Sequence, residues 1–299
     1  MPIRIGTAER ISTFYSQGLA LKRVLDRNPA LAPVDILATA QASMQNAKRL
    51  HADELEFGFM AANWIGRAKA GVPPFTEAID IRMATPMNAG PLFFIARADS
   101  ALRTVADLPG KRIAFGLRSS GMAQHAAVIL GALGMAVSEV EPHYLDFAAG
   151  GQALAAGVVD AQLQCPIPNS VMSELSERID VRVLPYAPGQ IETLLAAVPD
   201  YRRTVMRAGA LRGLDADVAQ PAVVNVLATH ARTADAHVHG VVAAILAHAG
   251  ELERLNALFA GLDALIGDLA AGGRAQFEFG GVALHPGALQ AYREAGLLP

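Results

Sequence analysis

Three times along the chain a short apolar strand runs into a small polar loop and then a helix, at residues 6–14, 39–46 and 116–122. The third joint is the sharpest. A turn, Asp107-Leu108-Pro109-Gly110-Lys111, leads into a strand over Arg112–Phe115, then the loop Gly116-Leu117-Arg118-Ser119-Ser120-Gly121. A helix follows from about Met122, and Gly131 and Gly134 punctuate its end. Strand alternating with helix argues for α/β lobes with mostly parallel sheets. In open sheets of that kind, ligands bind outside the carboxyl ends of strands, near such joints. A Ser/Gly loop at a helix start offers free backbone N–H groups, hydroxyls and the positive end of a helix dipole. That suits a carboxylate or another small anion, and by itself it performs no chemistry.

The remaining elements follow from periodicity and punctuation. Strands are predicted at Ile3–Gly6, Val34–Thr39, Leu55–Met60, Ile79–Pro86, Pro91–Ala96, Glu141–Leu145, Val158–Gln164, Val181–Leu184 and Pro221–His230. Helices are predicted at about Thr13–Arg27, from Ser43 through His51, and at Asn63–Ala70, Phe147–Ala156 and Ser170–Glu177. The apolar face of the first carries Phe14, Leu21, Val24 and Leu25. Two long Ala/Leu-rich helices then cover about Ala234–His248 and Leu252–Leu269, before a tail containing His285-Pro286-Gly287-Ala288. The order and spacing predict a two-lobed α/β fold with a ligand cleft between the lobes. Lobe 1 comprises 1–96 plus 187–299, lobe 2 comprises 97–186, and the hinge lies near 92–97 and 184–188.

Composition narrows the function classes. The chain of 299 residues is 52% hydrophobic and 18% charged, so a large core is expected and disorder is not. A net charge of −3 with no basic cluster argues against nucleic acid. A single cysteine, Cys165, excludes an intrachain disulfide and a cysteine-based zinc site. No Walker loop, dinucleotide fingerprint or paired catalytic carboxylates stand out, so no cofactor or metal is expected. No signal peptide is visible, since Ile3 already begins a strand.

Set in order, the motifs resemble the TAXI-type solute-binding proteins of TRAP transporters over most of the chain, a resemblance that implies the periplasmic-binding-protein fold. The correspondence runs through Gly6-Thr7, Thr13-Phe14-Tyr15 and Gly18, then Ala42-Ser43 and Asn46. It continues through Leu92–Arg97 with Asp107–Lys111, Ser120-Gly121, Asp160-Ala161 with Pro168-Asn169, and His285–Ala288. The first loop departs from the glycine-rich family pattern with Ala8-Glu9-Arg10-Ile11-Ser12, Ala42 replaces a glycine, and Arg118 stands where small residues are commoner. The resemblance implies a receptor for a small anionic organic solute, an amino acid such as glutamate or a dicarboxylate. It also implies TRAP membrane permease subunits as partners, a monomeric state, and a periplasmic location if a signal peptide was removed.

The candidate ligand-binding residues are Tyr15, Ser43, Asn46, Trp64, Asn88, Arg118, Ser119, Ser120, Gly121 and Asn169. Each has a plainer reading. The serines suit helix N-caps, Trp64 suits the core, and Arg118 suits a solvated loop. Arg118 could pair bidentately with a carboxylate. The alternative from another class is a cytosolic enzyme or sensor on the same fold. Cys165 is its sole nominee for chemistry, although no histidine spacing pairs with that thiol.

Overall fold

β1 (Ile3–Gly6), α1 (Thr13–Leu25), β2 (Val34–Leu37), α2 (Ala42–His51), β3 (Phe57–Ala61), α3 (Ala62–Ala70) and β4 (Ile81–Pro91) follow one another in the first third of the chain. The computed structural model describes residues 2–10, 12–39, 41–118, 120–164 and 166–299. Next come β5 (Phe93–Arg97), β6 (Arg112–Ala114), α4 (Gly121–Ala132), β7 (Glu141–His143), α5 (Phe147–Ala155) and β8 (Ala161–Gln164). α6 (Ser170–Arg178), β9 (Val181–Val183), α7 (Gln190–Ala197), β10 (Tyr201–Met206) and β11 (Val218–His230) continue the chain. α8 (Asp235–Ala247), α9 (Ala249–Leu255), α10 (Leu262–Ala271) and α11 (Pro286–Glu294) complete it.

The chain divides into two units, Met1–Ala89 with Val224–Pro299, and Gly90–Val223. In the first, β2, β1 and β3 pair in parallel, with Ile3 opposite Val34 and Ile5 opposite Phe57. The far half of β11 adds antiparallel to β3, from Asn225 opposite Ala61 to Thr229 opposite Phe57. Local chemistry sets the helices on this sheet. Ser12 caps α1 by accepting from the Tyr15 N–H, and Lys22 and Arg23 complement its carboxyl end. The α1 face of Leu21, Val24 and Leu25 buries with Ile5, Phe57, Phe59 and Val241 in one core. Each such side chain contributes about 1.5–3 kcal/mol of transfer free energy.

In the second unit β6 pairs in parallel with β7 and β8, placing Ile113 opposite Pro142 and Ala114 opposite Gln162. β5 runs antiparallel to both β8 and β9. Its core includes Phe93, Ile95, Leu154, Met172, Leu175 and Val183. Asp146 caps α5 and Asn169 caps α6, each accepting from an N–H three residues on.

The α/β class stands, with two sheets flanked by helices. Parallel pairing runs through β2–β1–β3 and β7–β6–β8, and antiparallel strands extend each sheet. The division also falls elsewhere than expected. α7 and β10 have no counterpart in the sequence reading, and β10 pairs with the near half of β11, Tyr201 opposite Val223 through Met206 opposite Val218. Residues 187–223 therefore stand with the second unit, and the chain changes units at 89/90 and 223/224 instead of near 92–97 and 184–188. The expected helix Leu252–Leu269 is broken, because Asn256 turns its side chain back to the Leu258 N–H and Gly261 takes φ +75°. The tail becomes α11, capped by His285. Among the described residues no helix is long and apolar enough to cross a membrane.

Candidate functional site

The β6–α4 joint folds as its sequence suggests. Gly116 takes φ +85°, which glycine adopts without strain, and the chain turns out of β6. Ser120 then caps α4, its Oγ accepting from the Ala123 N–H at 3.2 Å. Ser120 and Gly121 are half-buried and Arg118 is exposed. The Arg118 guanidinium carbon lies 3.8 Å from the centroid of the Tyr144 ring. Ser119 lies outside the described residues, as does Cys165. Asn169, half-buried, accepts from the Met172 N–H at 2.8 Å and donates to the Pro166 carbonyl at 3.1 Å. Arg118, Ser120, Gly121 and Asn169 all belong to the second unit, on the loops that follow β6 and β8.

The other five belong to the first unit, where most are committed to the protein. Asn46 is fully buried, and its Nδ2 donates to the carbonyls of Thr7 at 2.8 Å and Phe59 at 2.9 Å. It ties the end of β1 to β3. Ser43, also buried, accepts from the Ala61 N–H at 3.0 Å, which satisfies a donor at the start of α3. Trp64 packs edge-on against Phe75 inside the core, with Arg67 over its ring. Asn88 accepts from Gln17 at 3.4 Å and Asn225 at 3.2 Å. Tyr15 is half-buried, and its Oη accepts from Arg10 Nη1 at 3.4 Å. Ala42 takes φ +31°, a backbone that favours glycine.

Several polar residues were missed. Gln17 is buried with its Oε1 unpartnered. The signal was present, since Gln17 sits three residues after Phe14 and four before Leu21 on the apolar stripe of α1. Asn225 likewise interrupts the apolar run of β11, and Gln162 and Gln164 interrupt β8. Gln164 is fully buried, and among the described residues neither of its amide atoms has a partner.

His125 on α4 is buried, and its Nδ1 lies 2.5 Å from Tyr201 Oη. Burial raises the tyrosine's pKa and lowers the histidine's, so the hydrogen bond joins a neutral phenol and a neutral imidazole. Burial pushes the His125 imidazole down to about 4. An unfolded histidine titrates near about 6.5, so between these values the unfolded chain binds more protons. Stability therefore falls as pH drops from about 6.5 to about 4, by up to ~3 kcal/mol, and this contribution is level below. His230 and His285 are lowered in the same direction, chiefly by burial. The His125→Asn variant should show a shallower fall of melting temperature across that window. An unchanged slope would remove His125 as a source.

A family model described as the NMT1-like family matches residues 5–296. Among solved structures, a putative sulfonate ABC transporter periplasmic sulfonate-binding protein, SsuA from Methylobacillus flagellatus KT, aligns with TM-score 0.61 at 12% identity, covering 99% of this chain and 95% of that one. The alkanesulfonate-binding protein SsuA from Xanthomonas axonopodis pv. citri, bound to MOPS, aligns with TM-score 0.52 at 22% identity, covering 100% and 94%. A TctC solute binding protein from Polaromonas aligns with TM-score 0.55 at 15% identity, covering 88% of each chain. At these identities the likenesses establish a fold shared with periplasmic binding proteins.

Proposed function

We infer that this chain, which belongs to the NMT1-like family, is an extracytoplasmic solute-binding receptor that captures a small anionic organic solute for a membrane transporter. The observation that carries this reading is the β6–α4 joint. There a capped helix start, Ser120-Gly121, stands beside Arg118, which has no carboxylate partner among the described residues. A helix N-terminus with an adjacent guanidinium favours a carboxylate or a sulfonate. The solute class is an amino acid such as glutamate, a dicarboxylate or a small sulfonate, the last suggested by what the two SsuA structures are named for. The transporter is of the TRAP type by the TAXI resemblance, or of the ABC type by the name of the Methylobacillus flagellatus neighbour.

Within this reading the solute contacts in the second unit are Arg118, Ser119, Ser120, Gly121 and Asn169. Ser43, Asn46, Trp64 and Asn88 hold the first unit together. The reading assigns no catalytic step to any residue.

Native mass spectrometry of protein secreted by its own host should show a bound small acid. That acid, added back at about a hundred times its dissociation constant, should stabilise the protein by about 2.7 kcal/mol. Ser120→Ala should lower stability by about 1 kcal/mol without solute, because the cap is lost. Measured against its own unliganded baseline, it should also weaken the solute-induced shift. No bound acid, together with no thermal response to a panel of carboxylates and sulfonates, would overturn the receptor reading.

A further inference from the structure

The carboxyl ends of β6, β7 and β8 bring together residues that the sequence separates. Phe115, buried at the end of β6, meets the Tyr144 ring edge-on, with centroids 6.5 Å apart and planes at 72°. Tyr144 follows β7 directly and is half-buried. Arg118 lies over that ring at 3.8 Å. The guanidinium is thus held by a ring that is itself held by the core.

A ring orients a guanidinium without neutralising it. An ion pair would have occupied the N–H donors and cancelled the charge, whereas a stack engages only the flat face. Among the described residues Arg118 has no hydrogen-bond or ion-pair partner. The acidic residues nearest in the chain to Tyr144 are engaged elsewhere. Asp146 caps α5 at 2.7 Å from the Ala149 N–H, and Glu141 lies 3.3 Å from His143 Nε2. Other arginines of the same unit are paired, Arg112 with Asp160 and Arg203 with Glu192.

Gln164 provides an independent sign at the same end of the sheet. Ala114 pairs with Gln162, so Gln164 lies two residues further toward the end where the Gly116–Arg118 loop leaves β6. It is fully buried, and among the described residues neither amide atom has a partner. A buried amide in that state gains from any polar group that reaches it.

We propose that Arg118, held flat on the Tyr144 ring, docks the carboxylate or sulfonate of the solute, with Tyr144 as its positioning residue. This rests on the receptor reading above. The five N–H donors lie in the guanidinium plane, so they remain free at its edges while the ring covers a face. An oxyanion approaching edge-on meets two parallel donors.

The test follows the Arg118 Nε–Hε signal by NMR, assigned with the Arg118→Lys variant. Sodium acetate and sodium methanesulfonate are titrated, with tetramethylammonium chloride as the salt control. A saturable shift is expected with at least one of the two oxyanions and none with the control. The tighter of the two identifies the solute's head group. Tyr144→Phe keeps the stack and should bind as the native protein does. Tyr144→Leu should bind about two- to fivefold more weakly. No saturable shift with either oxyanion, or native affinity in Tyr144→Leu, overturns the proposal. A co-purified solute that binds Arg118→Lys as tightly as the native protein overturns the docking assignment and leaves the receptor reading standing. A saturable Arg118 shift in a protein with no solute supports the anion site and removes the receptor reading.

Discussion

Replacing Asn46 with alanine should destabilise the protein by about 3–5 kcal/mol in chemical denaturation at pH 7. The side chain is fully buried and its amide donates to two backbone carbonyls, Thr7 and Phe59. Alanine leaves both carbonyls buried without those donors, at about 1–3 kcal/mol each, and adds a small cavity. One effect opposes this. Asn46 Oδ1 is itself buried and unpartnered, and removing it recovers about 1–3 kcal/mol. Two lost donors and a cavity outweigh one recovered acceptor. The packing around the amide allows little relaxation. A Cβ at Gly6 would overlap Asn46 Oδ1, and one at Gly58 would lie 2.9 Å from the Asn46 Cβ. A loss under about 1 kcal/mol would show that Asn46 is not the tie between β1 and β3.

Gly287→Ala should cost about 3 kcal/mol or more, at the upper end of what overpacking produces. A Cβ there would overlap the Asp235 carbonyl oxygen and lie 2.9 Å from the His239 nitrogen. Both are backbone atoms of α8, which cannot rotate aside as a side chain would. Relief requires α11 to slide away from α8. Short hydrogen bonds oppose that, from the His285 N–H to the Met83 carbonyl at 2.8 Å and from Tyr292 Oη to Thr85 Oγ1 at 2.7 Å. Gly267→Ala is the matched control. A Cβ at Gly267, inside α10, meets nothing within 4 Å, so that variant should gain about 0.5–1 kcal/mol. Similar melting temperatures for the two variants would refute the close-packing account.

These variants mark where the sequence was legible. His285-Pro286-Gly287 could be read as structural, and His285 does accept from the Gly287 N–H to cap α11. That Gly287 is needed for contact with α8 could not be read, because Asp235 lies far away in the chain. The N-cap at Ser120 was legible for the same local reason, since a serine before a helix start has its partner three residues on. Ser43 looked equivalent and is not. Its partner is the Ala61 N–H, eighteen residues away. Gln17 could have been found, because a polar residue on an apolar stripe is itself a signal, whereas its partner Asn88 lies seventy-one residues on. α7 and β10 escaped notice because β10 buries only its end residues, Tyr201 and Met206, and is held by pairing with the distant β11.

The sequence by itself determined the α/β class, the three strand–loop–helix joints and the glycine and proline breaks between elements. Each rests on interactions spanning a few residues: hydrogen bonds along a helix, a cap, a backbone angle open to glycine. Tertiary structure alone decided which polar groups at those joints are committed to the protein. It buried Asn46 and Ser43 against backbone partners from other elements, and it laid Arg118 on a ring twenty-six residues away with no hydrogen-bond or ion-pair partner among the described residues. A side chain's freedom to bind depends on what surrounds it, and those surroundings are assembled by long-range pairing that local pattern does not encode.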